Sequence, residues 1–403
     1  MKKKLAIISS FNESCGNAAF TQLLVDSIHK YTDYHVTVIP LNLNILQSCF
    51  NTERNLGDKH IDNICKMLKD FDAVNIQLEA GLYGMLPHDI VNRIKKLVNA
   101  HPVISVTLHS PRLISQDYNL FKEGVKKLFA LHIKQGLKTI LSSLKPTFIE
   151  TNRKILKFLI KNKCRLIVHT TRAQRQINNL YNYHNVDLHP LKMVDIDYKF
   201  NTEVMENIKT GLKIPNNSII IGMFGYISKY KGHSIALKAM ERLPNNYKLI
   251  IFGRQHPQTI CNNSMDLYLE SLVNRVDSIP SLKNRVFFMG EFNDNDFINI
   301  AASIDIVWLP YYENGQDGSG IASICCDVSK AVLASTSFAF DELKKLIPYQ
   351  NMIRFDIGNY LEIACKTLFL MNNKNLLNKS FDPNSIYNTK TQAILYVKDL
   401  EKN

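Results

Sequence analysis

Metal-ligand spacing, disulfide density and membrane-spanning length are all missing from this 403-residue sequence. Its eight cysteines (Cys15, Cys49, Cys65, Cys164, Cys261, Cys325, Cys326, Cys365) form no CxxC pair and no Cys/His cluster at zinc spacing. A zinc module and a disulfide scaffold are therefore excluded, and a reducing, cytoplasmic setting fits the thiols. No stretch approaches the roughly 20 apolar residues that a membrane-spanning helix requires. The opening MKKKLAIISS has the charged start of a secretion signal, but no small-residue cleavage site follows, so it reads as a first buried strand. Internal repeats of fixed period and low-complexity segments are absent as well.

What the chain does have is apolar content, 45% of residues against 21% charged, enough for two ordinary cores. Its formal charge of +13 is concentrated rather than spread. Residues 120–165 hold twelve Lys and Arg against Glu123 and Glu150, a local excess of ten positive charges. Apolar residues in the same stretch (Phe121, Val125, Leu128, Phe129, Ile133, Leu137) recur at three- and four-residue steps, which predicts a helix with one apolar and one basic face. Two readings stay open: a helix suited to an anionic membrane surface, or a core-packed helix with a solvated lysine face. Nucleic acid is not expected, because no RNA-binding aromatic motif or zinc finger accompanies the charge.

Short apolar runs bounded by turn residues alternate with longer helical patterns from end to end, which predicts parallel sheets with crossover helices. The first half contributes LAIISS, HVTVIP, DAVNIQL, PVISVTL and CRLIVHT; the second contributes SIIIGMFG, YKLIIFG, RVFFMG, IDIVWLP and AVLAS. Continuous apolarity implies strands covered on both faces. A polar stretch, residues 194–217, reads as the linker. The expected division is an acceptor-side domain over 1–195, a nucleotide-binding domain over 196–381, and a last helix over 382–403 returning toward the first.

In open α/β sheets ligands bind at the carboxyl ends of strands, so the chemistry-bearing residues should follow each one. After the first strand, Gly16 and Asn17 open a helix, where glycine lets an anion approach the backbone or simply serves the turn. Glu79 and Gly81 follow the third strand. His109 ends the fourth, placed to bond a sugar hydroxyl, to transfer a proton, or to cap a loop. In the second half, FGYISKYKG sets Lys231 ahead of a helix, where its charge would neutralise a departing diphosphate or lie on the surface. Arg254 follows YKLIIFG, and Ser319 with Gly320 forms a capped helix start, either a phosphate cradle or an ordinary cap.

Taken in order, CGNAAFT, QLEAGLYG, GYISKYKG, GRQHP and NGQDGSGIASICCDVSKAV resemble the motifs of the family 4 glycosyltransferases over nearly the whole chain. The branch it resembles carries a QxxSG segment in place of the family's paired glutamates. The resemblance implies the GT-B architecture: an α/β protein of two facing Rossmann-like domains with parallel sheets. It further implies a UDP- or GDP-sugar as co-substrate, a glycan or lipid-linked acceptor of cell-envelope synthesis, retention at the anomeric carbon, and no metal or other cofactor. On that basis Lys231 and His109 are the candidate catalytic residues. Gly16, Asn17, Tyr226, Lys229, Arg254, Gln316, Ser319 and Gly320 would bind the donor, and Glu79 and Gly81 would face the acceptor. The protein would work in the cytoplasm, at the inner membrane face.

The sequence also departs from the family's pattern. Gln316 and Ile324 stand where many members have two glutamates, the second of which normally holds ribose hydroxyls. Tyr226 stands where an arginine often precedes the lysine loop, leaving Lys229 or Arg254 as substitutes; Leu78 and Ser329 replace a histidine and a glycine. A catalytically degenerate binding subunit is therefore the alternative to an enzyme. A sugar epimerase or phosphorylase on the same scaffold fits less well, since neither an acid/base carboxylate pair nor a cofactor lysine can be assigned.

Overall fold

The computed structural model describes residues 3–13, 15–113, 148–255, 266–313, 315–345, 351–373 and 385–401. It divides into two compact units, Met1–His189 with Ala393–Asn403, and Pro190–Gln392. Each is a six-stranded sheet, and every strand pairing within them is parallel.

The first unit contains β1 (Lys4–Ser9), β2 (His35–Pro40), β3 (Ala73–Leu78), β4 (Ile104–Leu108), β5 (Arg165–Val168) and β6 (Val186–Leu188), in the order β2-β1-β3-β4-β5-β6. Helices on both faces cover β1, β3, β4 and β5, whose residues are buried almost without exception, as their apolar runs require. The polar exceptions lie at the sheet's centre. Asn75, Gln77, Ser105 and Thr107 on β3 and β4 are fully buried and satisfy one another: Asn75 Nδ2 donates to Ser105 Oγ at 3.0 Å, and Gln77 Nε2 to Asn75 Oδ1 at 2.6 Å. Tyr396, from the C-terminal helix Thr389–Glu401, closes this network with a hydroxyl bond of 3.0 Å from Thr107. Asp399 of the same helix pairs with buried Arg165 at 2.8 Å.

The second unit contains β7 (Ile219–Phe224), β8 (Tyr247–Phe252), β9 (Val286–Gly290), β10 (Ile306–Leu309), β11 (Val332–Ser335) and β12 (Met352–Phe355), in the order β12-β11-β10-β7-β8-β9. This is the doubly wound dinucleotide-fold order, with its reversal between β7 and β10. Apolar clusters fill both sides, one under Trp308 and Phe355, the other under Phe224, Leu309 and Phe340. The polar stretch 194–217 is not plain linker. It holds helix Glu203–Gly211, which buries Met205 and Ile208 against the second unit's core and packs on helix Asp294–Ser303.

The basic segment divides in two. Residues 120–147 lie outside the described residues. Helix Phe148–Lys161 shows the core-packed pattern: Ile155, Leu156 and Leu159 are buried, while Arg153, Lys154, Lys157 and Lys161 are exposed. Among the described residues, no helix is long and apolar enough to cross a membrane.

Candidate functional site

The strand-order reversal in the second unit places two loops side by side beyond β7 and β10. Such a crevice is where open α/β sheets bind ligands. The β7 loop turns at Gly225 (φ +91°) and runs through a short 3₁₀ turn, Lys229–Lys231, to Gly232 (φ +75°), where helix His233–Met240 begins. Glycine is required at both turns. A Cβ on Gly232 would lie 1.9 Å from the Pro310 carbonyl oxygen, so the turn is pressed onto the end of β10. A Cβ on Gly253, after β8, would lie 2.1 Å from the Gly225 carbonyl oxygen. These close backbone approaches fix the position of Lys231.

The Lys231 side chain is 4% exposed. Its ammonium donates to the Phe224 carbonyl at 3.2 Å and to the Tyr311 hydroxyl at 3.1 Å, and it sits 5.0 Å from the centre of the Tyr311 ring. Burial lowers its pKa from the ordinary lysine value. Among the described residues no carboxylate pairs with it, so a buried positive charge is held by a carbonyl, a phenol and a ring face. Such a site has unused capacity for an anion.

The neighbouring loop, after β10, is organised by Glu313. Its carboxylate accepts from the Gly315 amide at 2.6 Å, the Phe338 amide at 2.8 Å and the Ser337 hydroxyl at 3.2 Å. Gly318 then adopts φ +134°, and Ser319 caps helix Gly320–Val328, its Oγ accepting from the Ala322 amide at 3.2 Å. Gln316 is half-buried in this loop. Ile324 is 6% exposed on that helix, an apolar side chain that offers no ribose anchor.

Tyr226 and Arg254 meet beyond β7 and β8, the guanidinium 5.8 Å from the ring centre. Arg254 also pairs with Glu291 at 2.8 Å, both side chains being partly exposed. Lys229 is exposed. Of the GRQHP segment, His256 and Pro257 lie outside the described residues.

In the first unit, Gly16 opens helix Gly16–Tyr31 behind Cys15, which makes no side-chain cap, and a Cβ on Gly16 would meet nothing within 4 Å. The helix therefore starts with uncapped amides and open space, a natural anion position. Asn17 lies in its first turn, and its carbonyl accepts from the Thr21 hydroxyl at 2.8 Å. After β3, Glu79 is half-buried and Gly81 accepts from Gln47 Nε2 at 2.8 Å.

His109 sits at the end of β4 with Nε2 2.7 Å from Gln77 Oε1. Since the Gln77 amide nitrogen already donates to Asn75, its oxygen faces the ring, and the imidazole carries its proton on Nε2. Nδ1 is then a lone pair, which accepts from a hydroxyl rather than donating to one. Burial, and secondarily the nearby His169, hold the His109 pKa well below the ordinary value. The His169 ring lies 5.1 Å away with its Nδ1 3.0 Å from the His189 carbonyl, and Phe20 meets both imidazoles edge-on.

Three residues of these sites carry no motif and escaped the sequence reading: Tyr311, Glu313 and His169. Position within two residues of the end of a buried strand was the available signal for Tyr311 and His169. Among the described residues, no group of three His, Cys, Asp or Glu is arranged to hold a metal ion.

Residues 204–335 match the family model of glycosyl transferases, group 1. That segment contains Lys231, Tyr226, Lys229, Arg254, Gln316, Ser319 and Gly320. Solved structures resemble the chain over its whole length. HepE of Anabaena, in complex with UDP and glucose, is 13% identical, covers 100% of both chains and has a TM-score of 0.66. Sucrose-phosphate synthase of Thermosynechococcus elongatus is 14% identical over 100% of this chain and 99% of its own, with a TM-score of 0.68. The UDP-forming α,α-trehalose-phosphate synthase of Burkholderia xenovorans, in complex with glucose-6-phosphate, is 9% identical over 99% and 100%, with a TM-score of 0.64. At these identities the likeness establishes the fold, which is GT-B: two Rossmann-like α/β units. No curated protein sequence matches the chain.

Proposed function

We propose that the protein is a retaining family 4 glycosyltransferase that moves a hexose from UDP- or GDP-sugar to a glycan or lipid-linked acceptor in cell-envelope polysaccharide synthesis. The observation that carries this reading is Lys231: a buried ammonium at the switch point of a dinucleotide-fold sheet, held by neutral groups and so left to meet an anion. The group 1 match over the same segment and the UDP bound by the structurally similar HepE support a nucleoside diphosphate as that anion.

In the reaction the bond between the anomeric carbon and the diphosphate oxygen breaks, and its electron pair stays on that oxygen. Lys231 meets the charge that develops there, with Arg254, Lys229, Ser319 and the amides at Gly320 in support. The acceptor hydroxyl bonds to the same face of the sugar and gives its proton to the departing phosphate. His109, neutral and with Nδ1 unprotonated, accepts a hydrogen bond from the transferred sugar. Gly16 and Asn17 offer uncapped amides to the donor, and Glu79 and Gly81 contact the acceptor. Neutralisation by these groups makes a metal unnecessary, so activity should survive EDTA.

Incubation with radiolabelled UDP- and GDP-sugars and a panel of cell-envelope acceptors tests the reading. Transfer that falls by at least about a hundredfold in Lys231→Ala is expected; no transfer or hydrolysis with any donor would overturn it. The second reading, a glycosyltransferase-like binding subunit, is favoured by one observation, the buried Ile324 in place of a ribose-binding carboxylate. Calorimetry separates the two, since silence toward both UDP and GDP supports the subunit.

Peripheral attachment to the inner membrane face belongs to the same proposal. The exposed cations of helix Phe148–Lys161 support it electrostatically, since that helix's apolar face is committed to the core. Sedimentation with anionic vesicles that fades at high salt is the expected result, and equal behaviour with zwitterionic vesicles would remove the membrane from the proposal.

A further inference from the structure

We propose that Tyr311 is a positioning residue that aims one Lys231 N–H at the diphosphate. The inference rests on the nucleotide-sugar reading for the identity of the anion, and on geometry alone for the positioning.

A lysine ammonium has three protons to donate and no acceptor capacity. Two of those on Lys231 are committed, to the Phe224 carbonyl and the Tyr311 hydroxyl, and among the described residues the third has no partner. Gly225 keeps the space beside the ammonium clear, since a Cβ there would stand 2.5 Å from Nζ. Fixing two protons thus directs the third.

The Tyr311 hydroxyl accepts from Lys231 at 3.1 Å and so fixes the direction of one of the ammonium's protons. Tyr311, from the loop after β10, thereby sets the direction of a donor on the loop after β7.

Tyr311 is itself immobilised. It is 2% exposed, its ring lies edge-on to Tyr230 at 5.6 Å and packs on Phe340 at 4.9 Å, and its carbonyl accepts from Ser335 Oγ at 2.6 Å. A positioning group must be held by its own surroundings, and this one is held on every side.

Tyr311→Phe keeps the ring contacts and the ring face under Lys231 while removing only the hydroxyl. The test measures UDP affinity by calorimetry in wild type, Tyr311→Phe, Lys231→Ala and the double variant, alongside the rate of reductive methylation of Lys231 followed by mass spectrometry. Expected are a roughly tenfold loss of UDP affinity in Tyr311→Phe, no further loss when it is added to Lys231→Ala, and several-fold faster methylation of Lys231. Additive losses in the double variant, or an unchanged methylation rate, would overturn the proposal. If wild type binds neither UDP nor GDP, the nucleotide reading fails, while the methylation rates still decide whether Tyr311 positions the ammonium. Should Tyr311→Phe not fold, 3-fluorotyrosine incorporated at position 311, which keeps the ring but makes the hydroxyl a weaker acceptor, must also accelerate methylation of Lys231.

Discussion

The Lys231 ammonium lies 2.5 Å from the point where a side chain on Gly225 would begin. A glycine at the end of β7 and a lysine six residues later are therefore one structural decision, and neither can be changed alone. The φ of +91° at Gly225 adds a backbone reason for the same residue.

Gly225→Ala should expel the ammonium from its place and strain the turn. UDP affinity is expected to fall at least about tenfold, with a destabilisation of roughly 1–3 kcal/mol. Calorimetry and thermal melting check both figures. A variant that binds UDP as wild type does would show that the ammonium's position is immaterial.

His109 makes a prediction in the first unit. Its proton sits on Nε2 against Gln77, and burial keeps the ring neutral far below the ordinary histidine pKa. The pH profile of kcat/KM should accordingly show no acid limb near 6.5 that disappears in His109→Phe. That variant keeps an aromatic ring beside Phe20 and should lower kcat/KM about tenfold while leaving UDP affinity unchanged. An acid limb near 6.5 that vanishes with the ring nitrogens would contradict the neutral-acceptor role.

Two further buried histidines tie stability to pH. Burial pulls His169 down to about 4, and burial together with the Lys231 charge pulls His233 down to about 3. Both are neutral in the folded chain, while the unfolded chain binds protons below about 6.5. Stability is therefore complete above that pH and is lost as pH falls toward 4 and then 3, at about 1.4 kcal/mol per unit for each group. For His169 the loss reaches roughly 3 kcal/mol. Melting temperatures of wild type and His169→Gln between pH 7.5 and 4.5 check this. Parallel curves for the two proteins would refute the His169 contribution.

The reach of sequence reading followed burial. Ten apolar runs correspond to ten strands, and eight of these, all but the edge strands β2 and β9, are buried along nearly their whole length, as strands covered on both faces must be. The two strands without such a run, β6 and β12, stand at sheet edges and are only partly buried, so VDL and MIRF resemble loop. Helix Glu203–Gly211 was hidden in a polar stretch because it buries little more than Met205 and Ile208. At the site, Lys231, Ser319 and His109 were visible as polar residues following strands. Tyr311 was not, since an aromatic after an apolar strand resembles more core, and its role depends on a hydroxyl reaching a lysine 80 positions earlier. Ile324 was legible as an absence, and its burial shows that no polar anchor stands there.

Tyr226 stands where the resemblance to family 4 glycosyltransferases would place an arginine. Tyr226 offers a ring face instead, and Arg254, from the end of β8, lies over it at 5.8 Å. A cation has returned to the region by another strand, but Glu291 competes for it at 2.8 Å. An ion pair this exposed contributes little to folding, so breaking it should barely change the melting temperature. Its removal should matter to the ligand, because a guanidinium without a carboxylate partner turns toward a diphosphate at lower cost. Arg254→Ala is expected to weaken UDP binding about fivefold to tenfold, and Glu291→Gln to strengthen it about twofold, with the gain shrinking as salt rises. Weaker binding in Glu291→Gln would instead mean that the carboxylate holds Arg254 in the pose the ligand needs, and the competition argument would be wrong.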